Sequence, residues 1–411
     1  MKYKLIGEIP ASPACNRAGT AVIGSGVEML NSSNSTIRIL HITDTLTSGG
    51  KERQLVELLR GFSKKSEFVN ELIVLSDIIH YEEVRSLGIK IHIFKRTRQW
   101  DFRILKKIYS VAKRYRPNII YSWESMCTMY ASPIALICRS VLINGMIRNA
   151  PLSLNVRDRR YRRLLLTAPF STVILANSLA GLQAFRVAER KGLCIQNGFN
   201  FDRISNLPSV DDIRRSLGIG TKHIVGMIGR FNREKDYRTF FEAAKLLCSK
   251  RKDITFVAVG EGPDLEKFTS SLKGESAANI RILGASKRVE EIAQTFSVGV
   301  LLTDLRYHGE GIANVLMEYM ALEKPVIATD LAGNREIVRD GENGFLIPFG
   351  DENALAMRIR DIVDRPEIGC AFGRAGRALI EQKFGIEQMV QKHVELFRHL
   401  ASGNRAPSFQ I

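Results

Sequence analysis

The sequence has no long apolar run and no close cluster of metal-binding side chains. None of its apolar stretches reaches the length of about 18 residues that a membrane-spanning helix needs. The six cysteines and seven histidines are scattered, without the spacing of a zinc or redox site, so we expect free thiols and no bound metal. An Asp-any-Asp pair, which would present two carboxylates to a divalent cation, is also missing. These absences predict a protein of the reducing cytoplasm that has no metal or other cofactor.

The length predicts two domains. At 411 residues the chain exceeds the size at which a single hydrophobic core keeps growing. The first 36 residues contain Pro10 and Pro13 but no unbroken apolar core of a secretory signal. We therefore predict a poorly ordered extension over residues 1–36, followed by two folded units.

The positive charge is concentrated in the first of these units. Residues 37–200 contain 27 Lys and Arg against 12 Asp and Glu, whereas residues 201–411 are nearly balanced, with 30 against 29. The basic residues are densest in 95–116 and 148–163. Such a surface attracts an anionic membrane or a lipid-phosphate acceptor, or it is simply solvated. No nucleic-acid-binding motif accompanies the charge, so we do not expect a nucleic-acid partner.

Short β-branched and aliphatic runs alternate with segments long enough for one helix each, which is typical of parallel α/β units. The predicted strands are Ile37–Ile42, Leu72–Leu75, Ile89–Phe94, Asn118–Ser122, Val141–Ile147, Val173–Ala176, His223–Ile228, Ile254–Val259, Ile280–Leu283, Val298–Leu302, Pro325–Ala328 and Phe345–Ile347. They divide at the turn-rich segment 197–208, where we place a hinge. The fold class is therefore α/β, with Rossmann-like domains over residues 37–200 and 201–385, whose strand ends face a shared cleft.

The end of the chain is predicted to be helical. After Asp351 the apolar residues recur at helical spacing, and residues 386–411 form the last helix and tail. On that helix, His393 and His399 are predicted to lie on the solvated face.

One segment carries the chemistry most clearly. Residues 309–318 read GEGIANVLME and lie between a strand and a helix, so the loop can direct backbone N–H groups at a phosphate. Glu310 in the loop can face a sugar, and Glu318 on the helix can accept hydrogen bonds from the two ribose hydroxyls. Taken alone, the pair could equally be two surface glutamates placed for the helix dipole.

The surroundings of this segment resemble the retaining, family 4 type of glycosyltransferase with the GT-B fold, the glycosyl transferases group 1. The resemblance covers roughly residues 37–385 and is closer in the C-terminal half. The segments that carry it are 229–236 (GRFNREKD), 260–263 (GEGP), 309–318, 320–330 (MALEKPVIATD), 336–344 (EIVRDGENG) and 348–351 (PFGD). The resemblance implies two facing Rossmann-like domains, with the C-terminal helix packed back on the N-terminal domain.

The resemblance also implies which residues act. Arg230 and Lys235 would bind the donor diphosphate and stabilise charge on the leaving phosphate, and with Glu310 they are the predicted catalytic residues. The predicted donor-binding residues are Glu318, Gly49, Gly50, Gly311, Ile312, Ala313, Asn314, Val315, Gly229 and His308. Gly49 and Gly50 belong to a loop that would border the donor phosphates and the acceptor, although a bare Gly-Gly is often a plain turn. His308 could instead be an exposed loop residue.

Two positions depart from the family pattern. Many members have a histidine where this chain has Arg148, and a His-any-His where it has Tyr121-Ser122-Trp123. Arg148 cannot act as a general base. We expect Arg148 and Asn149 to contact the acceptor or a phosphate, although Arg148 could also be one more member of the basic surface.

The function implied is a retaining, metal-independent transfer of a hexosyl or N-acetylhexosaminyl group. The donor would be a nucleotide diphosphate sugar, with uridine diphosphate the commonest choice, and the acceptor a lipid-linked saccharide of cell-surface polysaccharide synthesis. The protein would then be cytoplasmic and peripheral on the inner face of the membrane. Two alternatives remain open: a nucleotide-sugar epimerase of the same fold, and a binding module that has lost catalysis.

Overall fold

A computed structural model describes residues 36–98, 100–272 and 278–403. Residues 1–35 of the predicted extension lie outside this range. Among the described residues, no helix is both long enough and apolar enough to cross a membrane.

The first sheet is wholly parallel and has the strand order β3-β2-β1-β4-β5-β6-β7. Its strands are β1 (Ile37–Thr43), β2 (Phe68–Val74), β3 (Lys90–Ile93), β4 (Ile119–Ser122), β5 (Val141–Ile147), β6 (Val173–Ala176) and β7 (Gly192–Cys194). The register between β5 and β6 shifts between Asn144 and Ile147. Both faces are covered, because Ile39 joins one apolar cluster and its neighbour Leu40 joins another. Burial on two faces explains why these strands are almost continuously apolar.

The second sheet is also parallel, with the order β10-β9-β8-β11-β12-β13. Its strands are β8 (His223–Ile228), β9 (Ile254–Val259), β10 (Ile280–Leu283), β11 (Val298–Leu301), β12 (Val326–Thr329) and β13 (Gly344–Ile347). In both sheets the strand order changes direction beside the first strand, which is where parallel α/β sheets leave a crevice at their carboxyl ends.

Helices connect the strands of both sheets. They are α1 (Gly50–Ser63), α2 (Phe102–Tyr115), α3 (Ser125–Cys138), α4 (Arg159–Thr167), α5 (Leu179–Ala184), α6 (Val210–Ser216), α7 (Tyr237–Cys248), α8 (Leu265–Ser271), α9 (Val289–Ala293), α10 (Asn314–Ala321), α11 (Glu352–Val363), α12 (Pro366–Lys383) and α13 (Ile386–Ala401). Short 3-10 turns occur at Glu82–Leu87, Phe201–Ile204 and Asn334–Glu336. On the first sheet, α1 and α13 cover one face, and α2 and α3 cover the other.

The last helix crosses back to the first domain, as the resemblance implied. Phe397 of α13 stacks on Phe62 of α1, with ring centroids 5.2 Å apart. Arg398 forms an ion pair with Glu67, at 2.6 Å. This return corrects the expectation for His393, which is only 3% exposed and lies against Tyr121 rather than in solvent.

The predicted strands agree closely with the observed ones, and β5, β6, β8, β9 and β10 have the predicted bounds. Two differences stand out. The prediction missed β7, which is three residues long and begins with a glycine, and it began β2 four residues late. Polar Asn70 and Glu71 interrupt the apolar pattern of β2, and Asn70 is buried because it bonds to His41.

Candidate active site

A cavity of about 620 Å³ lies between the carboxyl ends of the two sheets. Residues of both halves of the chain line it. The predicted site residues among them are Gly49, Gly50, Arg148, Gly229, Arg230, Lys235, Glu310, Ile312, Ala313, Asn314, Val315 and Glu318. Three other predicted residues adjoin residues of this lining: His308 and Asn149 contact Glu310, and Gly311 lies against Asn177.

The loop before α10 is held by backbone contacts to the N-terminal domain. Asn149, just after β5, forms an antiparallel bridge with Glu310. The backbone N–H of Ala150 donates to the carbonyl of Gly309, at 2.9 Å. Gly311 is equally confined, since a Cβ there would lie 2.6 Å from Oδ1 of Asn177. The loop that carries Glu310 is therefore fixed from the opposite domain.

The carboxylate of Glu310 is buried among positive and polar groups. The ammonium of Lys235 forms an ion pair with Oε1, Nε2 of His308 lies 3.4 Å from Oε2, and the hydroxyl of Thr303 donates at 3.3 Å. Burial alone would oppose ionisation, but Lys235 and His308 outweigh it and hold the pKa of Glu310 well below its ordinary value. Glu310 is thus a fixed anion at neutral pH. The side chain of His308 is 15% exposed, so it is not a solvated loop histidine.

Arg230 is placed differently from Lys235. It follows Gly229 at the end of β8, is exposed within the cavity, and has no ion-pair partner among the described residues. The neighbouring Gly260 has φ +148°, and a Cβ there would lie 1.9 Å from the carbonyl oxygen of Gly229. A glycine is required at this close approach. It allows the end of β9 to support the loop that presents the Arg230 guanidinium.

Glu318, on α10, also lines the cavity and is 4% exposed. Its carboxylate pairs with Arg53 of α1 and, at 3.2 Å, with Arg203 of the segment after β7. Arg203 also pairs with Glu290. Three parts of the chain that are far apart in sequence therefore meet at one carboxylate.

Sequence reasoning missed Arg53 and Arg203, and also Lys51, which lines the cavity and pairs with Glu124 at 3.2 Å. No spacing or motif marks these residues, because their partners are brought in by the fold. Lys51 and Arg53 do immediately follow the predicted Gly-Gly loop. Their position at the start of α1 was therefore the one signal available.

A further contact joins the domains at the start of α5. The carboxylate of Glu336 accepts hydrogen bonds from the backbone N–H groups of Leu179, at 3.1 Å, and Ala180, at 2.7 Å. It satisfies donors that a helix N-terminus leaves unpaired. Burial raises the pKa of Glu336 despite these bonds.

Two facing parallel-sheet domains, a cleft at their strand ends and a C-terminal helix that returns to the first domain define the GT-B class of glycosyltransferase folds. Residues 209–379 of the chain match the family model described as glycosyl transferases group 1.

Curated relatives of the chain are also named as glycosyltransferases. The chain is 38% identical over 147 residues to the putative glycosyltransferase EpsD of Bacillus subtilis (strain 168), a match that covers 36% of this chain and 38% of the relative. It is 26% identical over 225 residues to the poly(ribitol-phosphate) alpha-N-acetylglucosaminyltransferase of Staphylococcus aureus (strain COL), covering 54% and 44%. The matched region thus spans less than half the length of either relative.

Solved structures confirm the fold over nearly the whole chain. Anabaena Alr3699/HepE, solved in complex with UDP and glucose, superposes with a TM-score of 0.76 at 18% identity, covering 87% of this chain and 98% of that one. The sucrose-phosphate synthase from Thermosynechococcus elongatus superposes with a TM-score of 0.72 at 18% identity, covering 90% and 100%. At these identities the likeness concerns the fold alone.

Proposed function

We propose that this protein transfers a sugar from a nucleotide diphosphate donor to a saccharide acceptor in cell-surface polysaccharide synthesis, with retention of the anomeric configuration. The observation that supports the proposal best is that Arg230, Lys235, Glu310 and Glu318 line one cavity. The cations Arg230 and Lys235 suit the diphosphate, and the fixed anion Glu310 suits the glycosyl carbon. The buried carboxylate of Glu318 suits the ribose.

The roles follow from the charges. When the bond between the anomeric carbon and the diphosphate breaks, its electron pair goes to the phosphate oxygen. Arg230 and Lys235 stabilise that growing negative charge more in the transition state than before it, without a metal ion. The acceptor hydroxyl forms the new bond on the same face and gives its proton to the departing phosphate oxygen. Glu310, kept ionised by Lys235, stabilises the positive charge that develops on the sugar.

Glu318 is the proposed ribose contact. Its carboxylate offers two acceptor oxygens for the 2′ and 3′ hydroxyls, with Arg53 and Arg203 holding it in place. A uridine diphosphate donor is the first choice, since Anabaena Alr3699/HepE and other structural neighbours were solved with UDP. Relatives named for capsule and ribitol-phosphate polymer synthesis support a polysaccharide acceptor.

A donor screen followed by an incorporation assay tests the proposal. A nucleotide sugar that binds only the folded protein raises its melting temperature. The stabilising donor, radiolabelled, is then incubated with and without bacterial membrane lipid. We expect lipid-dependent incorporation. Conversion of the donor sugar without lipid would indicate an epimerase, and binding without turnover would indicate an inactive module.

The proposed acceptor is lipid-linked, and the outer surface of α2, α3 and α4 suits it. Helix α3 packs between the other two. Nine of the sixteen large apolar side chains that are exposed in the described chain lie within residues 100–170, namely Trp100, Phe102, Leu136, Ile137, Leu152, Val156, Leu165, Leu166 and Phe170. Exposed basic residues of α2 and α4 stand among them, including Arg103, Lys106, Arg159 and Arg162. Apolar residues flanked by cations are what an anionic membrane surface binds.

Vesicle sedimentation tests the membrane contact. We expect the protein to sediment with phosphatidylglycerol vesicles and much less with phosphatidylcholine vesicles. A Phe102→Ser and Leu166→Ser double variant should lose this binding. The matched control is Leu246→Ser with Met357→Ser, two exposed apolar residues of the second domain. Equal loss in both double variants would contradict a specific membrane face.

A further inference from the structure

Arg148 lines the cavity and packs against two aromatic side chains. Its guanidinium lies 4.5 Å from the ring centre of Trp123, and its Nη2 donates to the hydroxyl of Tyr121 at 3.2 Å. Nε donates to the carbonyl of Gly145 at 3.0 Å. Tyr121 and Trp123 stack on each other with centroids 4.7 Å apart. The residues at the two positions that depart from the family pattern are therefore in direct contact.

The hydroxyl of Tyr121 has a second neighbour from the far end of the chain. Nε2 of His393, on α13, lies 3.5 Å from it. Nδ1 of His393 is 2.9 Å from the carbonyl oxygen of Met389, and a carbonyl can only accept, so Nδ1 carries the proton. Nε2 of a neutral imidazole is then an acceptor. Burial lowers the pKa of His393 to about 3, although its bond to Met389 opposes this, so the imidazole is neutral at pH 7.

These facts fix the direction of every bond. Burial also raises the pKa of Tyr121, despite the nearby Arg148, so the phenol keeps its proton. Tyr121 donates that proton to His393 and accepts from Arg148. A protonated His393 could not accept from Tyr121 and would turn the hydroxyl away from its present orientation.

The backbone at Gly145 makes room for the arrangement. A Cβ there would lie 2.5 Å from Cε2 of Tyr121, 2.9 Å from the carbonyl oxygen of Ser122 and 3.2 Å from Nη2 of Arg148. The shift in register between β5 and β6 falls over the same residues, between Asn144 and Ile147. Irregular strand ends of this kind redirect side chains next to sites.

We propose that His393 and Tyr121 are positioning residues for Arg148, and that the C-terminal helix thereby orients a cation in the part of the reaction cavity that contains Glu310. This placement follows from the chain, because Asn149, the residue after Arg148, pairs with Glu310. The ligand of Arg148 is an anionic group on the acceptor side or on the reacting phosphate. The expected effect on kcat rests on the proposed function. The position of Arg148, however, can be measured without turnover.

The kinetic test compares variants that remove or keep the acceptor atom of residue 393. His393→Leu and Tyr121→Phe should each lower kcat by roughly tenfold, about the cost of losing one hydrogen bond. An unchanged Kd for UDP would place the anionic ligand on the acceptor, whereas a weaker Kd would place it on the reacting phosphate. His393→Gln, which retains an acceptor, should recover most of the rate. Tyr115→Phe is the matched control, because in the described part of the chain that hydroxyl contacts backbone carbonyls, those of Ile39 and Val69. Arg148→Ala should lower kcat at least as much as His393→Leu.

The structural test uses the fluorescence of Trp123. The chain has two tryptophans, so a Trp100→Phe background leaves Trp123 as the sole reporter beneath Arg148. We expect His393→Leu to change its emission in the same direction as Arg148→Ala, and His393→Gln and Tyr115→Phe to leave it unchanged. Unchanged emission in His393→Leu, or equal kinetics for His393→Leu and His393→Gln, would overturn the inference. If the wild-type protein transferred sugar from no donor, the proposed function would be contradicted. The emission of Trp123 would still test whether His393 and Tyr121 position Arg148.

Discussion

The carboxylate of Glu318, on α10, forms an ion pair with the guanidinium of Arg53, on α1, although the two residues belong to opposite domains. Arg203 approaches the same carboxylate at 3.2 Å. A ribose that binds Glu318 has to share it with both arginines. The proposed ribose contact would therefore link donor binding to the relative position of the domains.

Changing Glu318→Ala should weaken UDP binding by roughly tenfold or more, because two hydrogen bonds to a charged acceptor are lost. The measurement is titration calorimetry with UDP. Glu290→Gln is the matched control, since Glu290 pairs with the same Arg203 but does not line the cavity. If both variants lost affinity equally, the effect would come from the arginines and not from a ribose contact.

Changing Arg230→Ala or Lys235→Ala should lower kcat by about a hundredfold or more, the usual cost of removing a group that stabilises charge in the transition state. Single-turnover rates with saturating donor would measure it. Arg233→Ala is a suitable control, because Arg233 is in the same loop but is exposed and stacks over Tyr307. Lys235→Ala also removes the lysine partner of the buried Glu310, so the melting temperature of this variant should be recorded beside its rate. A full rate in both variants would refute the site assignment.

Much of the fold was predictable because parallel strands that are buried on both faces leave uninterrupted apolar runs, as in Val173–Ala176 and His223–Ile228. The predicted site residues also converge, since they follow strand ends. The sequence could not reveal contacts across long separations. His393 and Tyr121 are 272 positions apart, and only the return of α13 buries the histidine. Arg53 meets Glu318 across 265 positions, with no motif to mark the pairing.

Two buried histidines should make the stability depend on pH. Burial lowers the pKa of His393 to about 3 and that of His41 to about 4, from an ordinary value of 6.5. As the pH falls below 6.5, these two histidines become protonated in the unfolded chain but stay neutral in the folded protein. The free energy of unfolding should therefore decrease with falling pH, by about 1 kcal/mol per pH unit for each histidine between pH 6 and pH 5.

Urea unfolding at pH 5, 6 and 7 measures this slope. His393→Gln should show a shallower dependence than the wild-type protein, because one of the two histidines is gone while the carboxylates are unchanged. Working above pH 5 keeps most carboxylates of ordinary pKa ionised in both states. Identical slopes would mean that His393 titrates normally in the folded protein and is not buried as described.

The loop that carries Glu310 rests on Gly333, and a small change there should disturb the site without touching any cavity-lining side chain. A Cβ at Gly333 would lie 2.1 Å from the carbonyl oxygen of Glu310 and 2.5 Å from that of Gly311. Gly333→Ala therefore has to displace the loop, and we expect a loss of stability of about 1 to 3 kcal/mol, typical of overpacking. UDP binding should weaken in parallel. Gly220→Ala is the control, because a Cβ at Gly220 meets nothing within 4 Å and its backbone is not left-handed. Unfolding curves and UDP titrations of the two variants measure both effects, and unaltered affinity in Gly333→Ala would show that the donor does not depend on the position of this loop.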